Sequence, residues 1–67
     1  MLIFYKIDDE GAGWHEVGRI KDGEVISDET GHFEEWIGDQ CERPEEDLAR
    51  VYNNHYINAI VVEEEDQ

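Results

Sequence analysis

The sequence predicts one small α+β domain: an antiparallel sheet of about four strands, with two helices packed on one face. Three observations carry that expectation. Runs rich in β-branched and aromatic residues stand at both ends of the 67-residue chain. Asp22-Gly23 separates two such runs, and Asp-Gly between apolar stretches is the strongest short hairpin signal a sequence offers. Between Gly31 and Asn54 the apolar positions switch from alternation to helical spacing.

Leu2 to Ile7 reads as the first strand, with Ile3, Tyr5 and Ile7 on one face and Leu2, Phe4 and Lys6 on the other. Asp8-Asp9-Glu10-Gly11-Ala12-Gly13 is a polar, glycine-bearing connection. Trp14 to Ile20 is the second strand and Val25-Ile26-Ser27 the third. With Asp22 and Gly23 as the turn, Lys21 faces Glu24 and Ile20 faces Val25, which pairs opposite charges and then aliphatic groups.

Asp28 or Thr30 offers a cap for a helix spanning roughly Gly31 to Cys41, whose apolar stripe is Phe33, Trp36, Ile37 and Cys41. Pro44 suits the first turn of a second helix, with Glu45, Glu46 and Asp47 favourably placed at its positive end. Leu48, Val51 and Tyr52 form its stripe, Glu46 with Arg50 has ion-pair spacing, and Asn53-Asn54 marks its end.

Tyr56-Ile57-Asn58-Ala59-Ile60-Val61-Val62 is the least charged stretch and carries apolar residues on both faces, the pattern of a strand covered on both sides. It is expected inside the sheet, beside the first strand. Residues 1–62 thus make the domain and 63–67 an acidic tail.

Nineteen Asp and Glu oppose five Lys and Arg, a formal net charge of −14. Self-repulsion of that size is relieved by salt, because the Debye length falls from about 10 Å at 0.1 M to about 3 Å at 1 M. The composition resembles that of proteins from salt-accumulating halophiles, which implies a cytoplasmic, high-salt intracellular setting or a virion. Such a charge disfavours direct nucleic-acid or membrane binding. No signal peptide follows Met1, and no apolar run approaches a membrane span.

The residues that carry chemistry do not assemble into a site. His15, His32, Cys41 and His55 fall in separate elements without zinc-ligand spacing, so no metal is assigned. Asp8 to Gly13 lacks the ligand order of a calcium loop. Cys41, on an apolar stripe, reads as a buried inert thiol. Ser27 and Thr30 are turn and cap residues. No catalytic or cofactor-binding residue is assigned, and the chain reads as a non-enzyme.

Its seven aromatic residues exceed what a thin core can hide. Phe4, Tyr5 and Trp14 are therefore expected to contact a partner, since Trp and Tyr favour interface centres. The expected function is a protein-protein interaction or structural module, a small subunit docking on a larger assembly or on a copy of itself. Two alternatives share the acidity. One is a DNA mimic whose Glu34, Glu35, Asp39, Glu42, Glu45 and Glu46, with the acidic tail 63–67, occupy a basic groove; the other is an antitoxin-like regulator.

Overall fold

A computed structural model describes residues 1–7 and 13–64 of the chain. Its elements are β1 (Leu2–Ile7), β2 (Trp14–Lys21), β3 (Glu24–Asp28), α1 (Phe33–Gln40), α2 (Pro44–His55) and β4 (Ala59–Glu63). The strands form one antiparallel sheet in the order β3-β2-β1-β4, so the meander and the return of the last strand to the first both hold. The calcium-loop lookalike and the β1–β2 connection fall on Asp8 to Ala12, outside the described residues.

The turn after β2 has the geometry its sequence demands. Asp22 and Gly23 take φ of 52° and 81°, the paired left-handed values of a two-residue hairpin, and Lys21 faces Glu24 while Ile20 faces Val25. The Gly23 amide also donates to Glu45 Oε1 at 3.0 Å, which ties the turn to α2. The register slips once opposite β1 and once opposite β3, leaving Val17 and Ile26 as extra residues.

Both helices lie over one sheet face because their stripes and the inward strand positions bury each other. Leu2, Phe4, Val17 and Ile20 pack with Phe33, Trp36, Leu48, Val51 and Tyr52, and Val25, Ala59 and Val61 join them. At the centre the Phe4 ring meets Phe33 at 4.6 Å and the edge of Tyr52 at 5.1 Å. The Tyr52 hydroxyl donates to the Tyr5 carbonyl at 2.9 Å, and burial, then Tyr56, pushes its pKa up to about 12. Such a phenol stays protonated and keeps donating.

Asp28 organises the start of α1 from outside the helix. Its carboxylate accepts the amides of Thr30, Gly31 and Phe33 and the Thr30 hydroxyl, while Thr30 Oγ1 accepts from His32 N. Pro44 opens α2, as its fixed φ favours. Asp47 accepts the Glu42 and Arg43 amides at 3.1 Å each and faces Arg50 at 3.4 Å. Arg50 therefore pairs with Asp47 rather than Glu46, which faces Arg43 at 3.7 Å. Asn53 and Asn54 do not end α2; they lie inside it, and the chain leaves through an extended Tyr56.

Asp47 supplies a pH prediction. The Arg43 amide first, then the Glu42 amide and Arg50, hold its pKa below the ordinary 3.8. A carboxylate with a depressed folded pKa stabilises the fold above its unfolded pKa and loses that contribution as pH falls through the folded value. The thermal midpoint of Asp47→Asn should thus lie below wild type near neutrality, with the gap closing below about pH 4. A gap that stayed constant into strong acid would refute this role.

The C-terminal stretch departs most from expectation. Tyr56 to Asn58 stand outside the strand, and β4 pairs only with β1, at the rim of the sheet. Its burial alternates: Ala59 and Val61 are half-buried under the helices, whereas Ile60 and Val62 are 41% and 38% exposed on the far side. The middle of the sheet belongs to β1 and β2. Pairing also runs beyond Val62, because Glu64 and Met1 exchange backbone bonds at 2.9 Å. The acidic segment therefore begins within the ladder, and its last three residues, Glu65, Asp66 and Gln67, lie outside the described residues.

Candidate functional site

Two helices cover one side of the sheet, and the side they leave open carries the candidate site. Strand alternation puts Ile3, Tyr5 and Ile7 of β1 there. The register sets Arg19, Glu16 and Trp14 of β2 opposite those three residues, and Val62 and Ile60 of β4 opposite Ile3 and Tyr5. Ile3 is only 1% exposed although no helix covers it, flanked by Arg19 and Val62. Tyr5 and Ile7 are half-buried, and Trp14 is 49% exposed.

The charged pair within this face neutralises itself. Arg19 Nε and Nη2 donate to Glu16 Oε2 and Oε1 at 2.7 Å each, a bidentate fork. Hydrogen bonding to Arg19 holds the Glu16 pKa below its ordinary value, and the same bond raises that of Arg19. The opposite layer is acidic: Glu34, Glu35, Asp39, Glu42, Glu45 and Glu46 are all exposed on or beside the helices.

Of the three residues expected to meet a partner, Tyr5 and Trp14 stand on this open face. Phe4 does not. It points into the helix-covered core and is 0% exposed, because its neighbours in the strand alternate with it. Ile60 and Val62 are the apolar members that sequence reasoning overlooked. Their period-two alternation was visible, but the stretch had apolar residues on both faces and so suggested cover on both.

A second feature lies where α1 begins and α2 ends. The His32 ring stacks on Trp36 at 5.1 Å, and His55 approaches Trp36 at 5.1 Å, His32 at 5.5 Å and Tyr56 at 4.6 Å. Beside them a shallow groove of about 220 Å³ is lined by Trp36, Gln40, Arg50, Val51, Asn54 and His55. Sequence separation hid this meeting of His32 and His55. Among the described residues no three His, Cys, Asp or Glu side chains converge as a metal site. Cys41 sits against the core, and burial, then Asp47, raises its thiol pKa, so it is protonated near neutrality and a poor nucleophile.

Comparison with known proteins found no matching family model, no matching curated relative and no matching solved structure. Among the described residues, no helix is long and apolar enough to cross a membrane.

Proposed function

We propose that the protein is a non-enzymatic docking module that binds a protein surface, or a copy of itself, through the open sheet face. The observation that carries this reading is the contrast between its two sides. In a chain of net charge −14, the open face holds Tyr5, Ile7, Trp14, Ile60 and Val62 around the Arg19–Glu16 ion pair, with Lys21, Glu24 and Glu64 at its margins. Contiguous apolar surface of this kind marks interaction sites. Trp14 and Tyr5 are the residue types that concentrate binding energy.

The acidic exterior suits a high-salt cell or one of its viruses, where the module serves as a small subunit of a larger assembly. Salt screens the carboxylates and leaves apolar burial as the driving force. Binding should therefore strengthen, or at least persist, as KCl rises toward molar. A DNA mimic using the carboxylates of the helical layer would behave oppositely, losing its basic target steeply over the same range.

The test compares the two faces directly. A photo-crosslinking residue is placed at Trp14 in one variant and at Glu35, on the helical layer, in another, and both are irradiated in molar-KCl extract of the source cells. One dominant adduct from position 14, absent from position 35 and lost on Ile60→Lys, is the expected result. Adducts from position 35 alone would favour the acidic layer and overturn the proposal. Equal yields from both positions would do the same.

A further inference from the structure

The outer edge of β4 offers an interaction of its own, whatever the open face binds. The backbone bonds at the two ends of the β1–β4 ladder fix which groups point outward. Glu64 bonds Met1, and the Ile7 amide donates to the Asn58 carbonyl. Bonded and non-bonded pairs alternate along an antiparallel ladder, so Asn58, Ile60, Val62 and Glu64 turn their backbone toward β1. The N–H and C=O groups of Ala59, Val61 and Glu63 point away from it. Among the described residues, no hydrogen bond satisfies them.

Sheet edges usually carry devices against pairing: proline, a bulge or an inward charge. The opposite edge of this sheet has such devices, since β3 is bulged at Ile26 and bounded by Glu24 and Asp28. The β4 edge has none before Glu63, and its register with β1 is unbroken.

We infer that β4 pairs antiparallel with β4 of a second copy about a two-fold axis through Val61. In this register Val61 meets Val61 of the second copy, and Ala59 meets its Glu63, so every outward group of the strand finds a partner. On the open side Ile60 lies opposite Val62 of the second copy. Glu63 and Glu64 face Ala59 and Asn58 of that copy, so no carboxylate opposes another within the ladder. This register points to a second copy, because the strand matches itself in its backbone hydrogen bonds and its apolar residues while each carboxylate falls opposite a neutral residue. The two four-stranded sheets become continuous, and their open faces join.

Repulsion between chains of net charge −14 makes the pairing depend on salt. In KCl near 0.1 M the protein should run as a monomer. Near 1–2 M, at about 0.1–1 mM protein, scattering should give twice the 7.9 kDa chain mass. Backbone hydrogen exchange decides the mode. On dimerisation the amides of Ala59, Val61 and Glu63 should slow by about tenfold or more, and do so in proportion to protein concentration. Ala59→Pro removes one outward amide at the first residue of an edge strand, where proline is tolerated, and should shift the dimer back to monomer while circular dichroism stays native. A monomer throughout the salt range would overturn the inference. So would a dimer in which those three amides exchange as fast as in the monomer, the signature expected of docking through the open face instead.

Discussion

Replacing Gly18 with alanine is expected to remove up to about half of the stability of the domain. Gly18 is buried in β2, opposite Phe4 on one side and Asp28 on the other. A Cβ there would collide with the Phe33 ring and stand 2.9 Å from the Ser27 carbonyl oxygen. Neither neighbour can yield cheaply. The Phe33 ring is fully buried and held by Phe4, Trp36 and Tyr52, and the Ser27 oxygen belongs to the backbone of β3. Overpacking of this kind costs about 1–3 kcal/mol or more, against which alanine recovers roughly 0.5–1 kcal/mol of strand preference. A core of this size supplies only about 3–5 kcal/mol in all. Urea unfolding in molar KCl, followed by tryptophan fluorescence, should show a midpoint far below wild type. An unchanged or higher midpoint would mean that Phe33 does not rest on the sheet at Gly18.

The same glycine shows what the sequence made legible and what it concealed. Local chemistry was readable: Asp22-Gly23 dictated the turn and register, Pro44 opened α2, and helical spacing named Phe33, Trp36, Leu48, Val51 and Tyr52. Each of these follows from the conformational limits of a few neighbouring residues. What required a count of covering elements was misjudged. Tyr56 to Val62 has apolar residues on both faces, and such a strand is buried on both faces only if something lies over each. Two helices can cover one side of this sheet, so Ile60 and Val62 stay exposed, and burial on both sides falls to β1. Ile3 is hidden without a helix, beside Arg19 and Val62. The approach of His32 to His55 was illegible for a related reason. It depends on how α1 and α2 cross, which neither helical pattern encodes alone.

Phe4→Ala should unfold the domain, whereas Trp14→Ala should leave it folded and affect docking instead. The two rings were candidates for the same surface, and strand alternation sends them to opposite sides of the sheet. Phe4 sits at 0% exposure, 4.6 Å from Phe33 and 5.1 Å from Tyr52, near the point where the inward faces of β1, α1 and α2 converge. Truncating a ring so enclosed costs about 3–5 kcal/mol through lost transfer energy and the cavity left behind. That matches the whole stability expected of so small a core. Trp14 keeps half its surface in solvent at 49% exposure, so its removal should cost less than about 1 kcal/mol. In molar KCl, far-UV circular dichroism of Phe4→Ala should resemble the denatured chain at temperatures where Trp14→Ala still melts cooperatively. A folded Phe4→Ala with a collapsed Trp14→Ala would invert the sheet and place the docking surface beneath the helices. Because the two residues differ in stability cost by several-fold, binding lost in Trp14→Ala can be attributed to the open face and not to unfolding.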